Sequence, residues 1–290
     1  MKSSYYKYFA ALLLFGSNGI VASNINLPSY EIVLLRLLLG SLFLITVFTV
    51  SRQRFTFYRN KHTCLYLFIS ASAMGASWML LYEAYQQVGV SIASLAYYCG
   101  PVIVMILSLF RETLTWPKIA GFLTVLAGMC LVNLQALDEG KTIWGLFCGL
   151  MSAFMYALMV TANKKAKPES GLENSLLQLV IGSFIVVAFV SMQKNFVLSL
   201  TTIDWIPVLL LGLLNTGIGC YLYFSSITDL PVQTVAICGY LEPLSAVVFS
   251  VLFLHEVLLP LQMLGAVLIL GGAIFGECFN PEKQQWLQSK

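Results

Sequence analysis

Charge is what this sequence has least of. Asp, Glu, Lys and Arg make up 10% of its 290 residues, against 59% hydrophobic residues and a mean hydropathy of +0.84. A soluble domain cannot hide that much apolar surface, so the composition specifies a polytopic membrane protein. Histidine is scarcer still, at two residues, His62 and His255. His255-Glu256 opens the zinc-protease pattern HExxH, but Leu259 stands where the second histidine is required. No Walker A run is present, and too little polar sequence separates the apolar runs to build a nucleotide domain, so ATP is not the direct energy source. The seven cysteines form no CxxC pair, are odd in number and mostly lie inside apolar runs. They read as small core packers rather than disulfides or metal ligands. No metal, cofactor or nucleic-acid partner is expected. An intramembrane enzyme would need a clustered nucleophile and base, or paired aspartates within spans. The only acids well inside the apolar runs are Glu83 and Glu242.

Ten apolar runs are present, near 8–25, 31–50, 64–85, 90–110, 117–134, 143–163, 174–192, 205–226, 231–254 and 260–277. Turn and charge signals separate them, Gln86 to Gly89 between the third and fourth among others. None alternates with the period of a barrel strand, and only helices or closed barrels satisfy the backbone in lipid. The expected fold is therefore all-α, with ten transmembrane helices. The leader Met1–Lys7 is short and lacks a small-residue cleavage site, so the first run is read as a retained span. With the N-terminus in the cytoplasm, 13 basic residues fall in inner segments and two, Lys141 and Lys194, in outer loops; Arg36 lies within a span. That bias predicts a cell-membrane protein with both termini cytoplasmic.

The chain repeats itself. An offset of 142 aligns residues 31–101 with 173–243, pairing Glu31 with Glu173, Gly40-Ser41 with Gly182-Ser183, Gly75 with Gly217, Tyr98 with Tyr240 and Pro101 with Pro243. Beyond this the offset becomes 144, pairing Glu112 with Glu256, Gly121 with Gly265 and Gly128 with Gly272. Chance matches of Leu are common in such a chain, but matched Gly, Pro and Glu are not. The unit is five spans, giving halves 1–141 and 142–290. An odd number of spans inverts the second copy, an arrangement of transporters with the site at the midplane. A receptor or scaffold does not account for it.

The residues that carry chemistry lie near that midplane. Cys238-Gly239-Tyr240-Leu241-Glu242-Pro243 interrupts the ninth run, and Tyr98-Cys99-Gly100-Pro101 interrupts the fourth. Pro101 and Pro243 each remove a backbone donor and mark helix breaks. An ionised carboxylate at Glu242 costs several kcal/mol at that depth. The group is therefore read as a proton site, a partner for a substrate amino group, or a helix-to-helix hydrogen bonder. Ala71, Gly75, Trp78, Tyr82 and Tyr85 share one helical face. Trp78 and Tyr82 are read as lining a cavity, against ordinary helix packing. Asn18 and Asn215 are amides within spans, suited to substrate hydrogen bonds or to holding helices together. Arg36 either snorkels outward, pairs with Glu83 or meets a substrate carboxylate. Tyr98 and Tyr240 complete the candidate cavity. Glu112 and Glu256 are read as helix-terminus residues.

With these features in place, the sequence resembles the ten-span, EamA-type members of the drug/metabolite transporter superfamily over nearly its whole length. The resemblance rests on the duplicated five-span unit, Phe15-Gly16-Ser17-Asn18, Arg36, Leu241-Glu242-Pro243, Glu256, Gly265 and Gly271-Gly272. It implies export of small metabolites, amino acids among them, by alternating access. Phe15-Gly16 stands where family members usually carry Trp-Gly. The first and sixth spans hold no acid of the kind that four-span relatives use for cations, which argues against a quaternary-ammonium substrate. The expected protein is a secondary exporter of amino acids or related aromatic or zwitterionic compounds, with export of lipophilic drugs as the alternative. Proton coupling and a homodimer through small apolar faces are further expectations.

Overall fold

The computed structural model describes residues 2–108, 115–133, 143–192, 204–254 and 260–278. Among them every regular element is helical, with no strand. The order is α1 (Lys2–Gly16), α2 (Asn18–Ser23), α3 (Ser29–Val50), α4 (Lys61–Tyr97), α5 (Gly100–Ser108), α6 (Trp116–Asn133), α7 (Ile143–Ala166) and α8 (Gly171–Ser191). There follow α9 (Trp205–Leu209), a π-helical stretch (Leu210–Ile218), α10 (Gly219–Ser226), α11 (Val232–Gly239), α12 (Leu241–Leu254) and α13 (Pro260–Cys278). Among the described residues six stretches are long and apolar enough to cross a bilayer: Tyr30–Val50, Lys61–Val88, Ile143–Ala166, Gly171–Ser191, Trp205–Ser226 and Val232–Phe253.

The turn expected at Gln86 to Gly89 does not end the helix, since helical backbone runs through it to Tyr97. The chain nevertheless reverses there. A methyl at Gly149 would lie 2.8 Å from Cβ of Ala96 and 3.8 Å from Cβ of Ala84, so those two atoms are less than about 7 Å apart. Twelve residues of straight helix would separate them by about 18 Å.

Contacts sort the helix ends onto two faces. At one, Thr63 donates to the Ala166 carbonyl at 2.9 Å, and Glu173 accepts from the Thr56 hydroxyl and the Phe57 amide. A methyl on Gly171 would collide with Ser225 there. The start of α4, the end of α7, the start of α8 and the end of α10 thus share this face. Arg52, Arg54, Arg59, Lys61, Lys164, Lys165 and Lys167 cluster around these helix ends, and it is called the basic end below. At the far end, Glu83 accepts from the Tyr30 hydroxyl and from Trp144 Nε1. It follows that α4 leaves the basic end while α10, its counterpart 142 residues on, arrives at it.

Tight packing joins the halves. Ser41 and Ser183, which are counterparts, share a hydrogen bond of 3.0 Å between their hydroxyls. Along α6 and α13 a methyl on Gly121 would lie 2.6 Å from the Gly272 carbonyl, and one on Gly128 2.6 Å from the Gly265 carbonyl. Only glycine permits so close an approach of two helix backbones. The largest buried cluster brings Tyr8, Leu37, Met74, Leu179, Phe224 and Tyr240 together between them.

Candidate functional site

Four interruptions converge at mid-depth. Pro101 and Pro243 fall in the first turns of α5 and α12, where a missing N–H breaks no helical bond. The preceding helices end just before them, at Tyr97 and Gly239. The two breaks touch. The Tyr240 hydroxyl donates to the Tyr98 carbonyl at 2.9 Å, and a methyl on Gly239 would reach Pro101 Cγ at 3.8 Å. The third interruption parts α1 from α2 at Ser17. Here Gly16 lies directly on α12, so that a methyl would meet Ser245 Oγ at 1.9 Å and the Glu242 carbonyl at 2.9 Å. The fourth is the π-helical stretch, in which the Thr216 hydroxyl donates to the Leu211 carbonyl at 2.8 Å, five residues back. Such stretches concentrate at functional sites.

Arg36 enters this region from α3 and is buried, with 6% exposure. Its guanidinium lies 4.4 Å from the Trp78 ring centroid, and its Nε donates to Thr216 Oγ1 at 2.9 Å. A desolvated stack of this kind is worth about 2 kcal/mol. The expected alternatives for Arg36, snorkelling or pairing with Glu83, are not what is found. Glu83 accepts from Tyr30, from Gln87 Nε2 at 3.2 Å and from Trp144 Nε1 at 3.3 Å. Tyr30 shares α3 with Arg36, which lies six residues deeper, or about 9 Å, so the guanidinium meets the middle of α4 instead.

Glu242 is half-buried, and among the described residues its carboxylate accepts no hydrogen bond and forms no ion pair. Its backbone carbonyl packs on Gly16, and three residues earlier a methyl on Gly239 would lie 3.5 Å from the Tyr8 hydroxyl and 3.8 Å from the Tyr156 hydroxyl. Asn215 is buried, and its Nδ2 donates to the Leu14 carbonyl at 2.8 Å, Ser17 Oγ at 2.8 Å and Asn18 Oδ1 at 3.0 Å. The two amides therefore bind each other and tie the π-helical stretch to the α1–α2 break, which favours the helix-to-helix reading for both. Trp78, Tyr82 and Tyr98 are half-buried, with the Tyr82 ring 5.2 Å from Tyr85 and the Tyr98 ring 5.7 Å from Tyr97. Tyr240 is fully buried. Glu112 and Glu256 lie outside the described residues.

Sequence reasoning missed four tyrosines that crowd together beside the α11–α12 break at Gly239. The hydroxyls of Tyr156 and Tyr223 are 3.2 Å apart, and the Tyr8 hydroxyl donates to the Val235 carbonyl at 2.8 Å. The ring of Tyr97 meets that of Tyr156 at 5.6 Å, and those of Tyr8 and Tyr223 meet at 5.6 Å. A usable signal was there, because a tyrosine deep in an apolar run must find a partner for its hydroxyl.

Long apolar helices enclosing a charged, aromatic centre built at helix breaks define a multi-pass membrane transporter. The EamA-like transporter family matches the chain twice, over residues 3–134 and 143–276, and the chain belongs to that family. It is 27% identical over 275 residues to the uncharacterized transporter YxxF of Bacillus subtilis (strain 168), covering 92% of this chain and 86% of that protein. It is 28% identical over 238 residues to the threonine/homoserine exporter RhtA of Escherichia coli (strain K12), covering 81% and 77%. A protein of known crystal structure shares the fold with a TM-score of 0.80 at 17% identity, covering 95% of this chain and 98% of that one. The family and these relatives are transporters, not enzymes.

Proposed function

We infer that the protein is a secondary exporter of small metabolites, amino acids or related aromatic and zwitterionic compounds, working by alternating access. One observation carries this reading, a difference in solvent access between matched positions. Trp78, Tyr82, Tyr85 and Tyr98 are half-buried, whereas Cys220, Phe224, Ile227 and Tyr240, their counterparts 142 residues on, are 1%, 2%, 0% and 0% exposed. One end of the centre is open and the other is sealed. A transporter must reach the mirror condition, and a substrate drives that change only through its different affinity for the two states.

Ten spans in two inverted five-span repeats, divided near residue 141, complete this reading. Its support is the double family match, the opposite directions of α4 and α10, and the direct contacts of Ser41 with Ser183 and of Tyr240 with Tyr98. Positions that touch their own counterparts are expected on a two-fold axis. The basic end is assigned to the cytoplasm of a cell-membrane protein, with both termini there. The open end then faces outward. The name of the threonine/homoserine exporter supports an amino-acid cargo. Proton coupling is assigned to Glu242, where a proton and a substrate ammonium compete for one carboxylate. A homodimer would use the lipid-facing apolar surfaces of the outer helices.

Reconstituted protein loaded with labelled threonine, homoserine and phenylalanine tests the function, with and without an imposed pH gradient. Counterflow of at least one of them, accelerated by the gradient, is expected. Movement of lipophilic cations alone would replace the amino-acid reading with the drug-exporter one. In a cysteine-free background, Gln87→Cys should react with an impermeant reagent applied outside, and Lys165→Cys should not. The reverse pattern would overturn the direction of export.

A further inference from the structure

The two charges at the centre lack counterparts in the opposite half, and neither is neutralised. Position 178, the counterpart of Arg36, is Gln, fully buried and bonded to Ser70 and Asn174. Position 100, the counterpart of Glu242, is Gly, packed against Tyr156. The scaffold therefore packs at both places without a charge. Arg36 uses only Nε, on Thr216, and one ring face, on Trp78. Its two terminal nitrogens, four of the five donors of a guanidinium, make no hydrogen bond among the described residues. Glu242 is equally unengaged, as is Oε2 of Glu31, whereas other acids of the chain have donors. Glu173 holds Thr56 and Phe57, Glu83 holds Tyr30, and Asp229 holds Ser4. The two share one neighbourhood without forming an ion pair among the described residues: Arg36 binds Thr216, the adjacent Asn215 binds Ser17, and the adjacent Gly16 packs on the Glu242 carbonyl. Both groups sit in a partly dry centre, where a partner of opposite charge offsets the cost of lost hydration.

We propose that Arg36 and Glu242 form a split receptor for an α-amino acid, the guanidinium taking the carboxylate and Glu242 taking the ammonium. The inference rests on the amino-acid reading above and adds to it the requirement for both charges on one small molecule. A carboxylate matches the free fork of the guanidinium, which Trp78 and Thr216 hold in one orientation. The ammonium, one carbon away in any α-amino acid, turns toward Glu242. The cargo's side chain then faces Tyr82 and Tyr98. An amine or an acid alone neutralises one receptor group and leaves the other unpaired beneath the bound ligand, and sites of that kind reject incomplete ligands.

The test uses the purified full-length chain, with binding read by thermal stabilisation and by tryptophan fluorescence. The probes are L-phenylalanine, L-phenylalanine methyl ester, 3-phenylpropionate and phenethylamine, and the same series built on L-threonine. The unaltered protein should bind the amino acid at least ~30-fold more tightly than the ester, the acid or the amine. Arg36→Gln should bring the ester within ~3-fold of the amino acid while still rejecting the deaminated acid. Glu242→Gln should do the converse. A structural role for either residue would weaken all probes together and would not produce this crossed pattern. The analogue series on the unaltered protein needs no variant to fold. Equal affinity for amino acid, ester and acid would overturn the split receptor and leave amino-acid export standing. Binding of no amino acid, with ethidium binding instead, would overturn both.

Discussion

The face of α4 that carries Trp78, Tyr82 and Tyr85 and the face that carries Cys220, Phe224 and Ile227 occupy matched places in the two halves, yet they live in different solvents. The first is half-open. The second is sealed to 2% exposure or less. The sequence difference follows the environment. Tyrosine and tryptophan present an apolar body and a polar tip, which suits a wet wall. Cys, Phe and Ile have nothing to offer water and suit a dry one. Around the dry face, polar groups of other helices close the basic end. Ser4 donates to Asp229 at 2.8 Å, Lys164 binds the Leu230 carbonyl, and Tyr8 binds the Val235 carbonyl. The halves share a scaffold but differ in exposure, and under the proposed function one wall would meet cargo while the other would act as a seal.

The sharpest way to break this comparison is to truncate matched residues. Phe224→Ala empties a fully packed site and should cost about 3–5 kcal/mol of stability, seen as a large fall in the unfolding temperature. Tyr82→Ala removes a ring already in contact with solvent and should cost less than about 1 kcal/mol, while lowering transport of bulky cargo severalfold. Equal losses of stability at the two positions would erase the distinction between wall and seal.

A smaller effect is expected at the hydroxyl pair beside the α11–α12 break. Tyr223→Phe removes one hydrogen bond of the sealed end, worth about 1 kcal/mol. The population open at the basic end should rise by about fivefold. In a background that keeps Cys220 as the only cysteine, this 1%-exposed thiol, probed from inside-out vesicles, should label faster by that factor when Tyr223→Phe is added. Unchanged labelling would mean that the tyrosine pair takes no part in closure.

The smallest effect belongs to the contact between counterparts. Replacing Ser41 and Ser183 together by Ala removes both partners of one bond, so no buried group is orphaned. The cost should stay below about 1 kcal/mol, whereas Ser183→Ala alone, which strands the Ser41 hydroxyl, should cost more than the double; Ser41→Ala leaves Ser183 donating to the Leu179 carbonyl. An additive result would show that the two hydroxyls do not depend on each other.

How far the sequence was legible varied with the kind of physics involved. The apolar runs and the prolines are local signals, and they indicated an all-helical fold and the breaks at Tyr98 and Tyr240; the repeated glycines marked counterparts but not the contacts they make, which pair Gly121 with Gly272 and Gly128 with Gly265. The pairing of Arg36 was not legible, because it depends on which turn of α4 stands opposite α3. That register is set by packing of the whole bundle. The π-helical stretch was hidden for a similar reason. Leu210–Ile218 is apolar like the α-helical spans around it, and its wider turn is held by tertiary bonds from Asn215 to Leu14, Ser17 and Asn18. The turn at Gln86 to Gly89 was read correctly as a reversal and incorrectly as a helix end.

That π-helical stretch carries one residue more per turn than an α-helix, so it amounts to an insertion that the helix has absorbed. Deleting a single residue, Leu213 for example, would restore regular winding and rotate everything beyond it by about 100°. Thr216 and Arg36 would lose their register, and Cys220, Tyr223 and Phe224 would swing off the seal as a group. The wide turn thus works as a phase adjuster. It lets one continuous rod present Asn215 and Thr216 to the centre and, a turn or two later, Tyr223 and Phe224 to the sealed end, two directions that a helix of constant pitch could not serve at once.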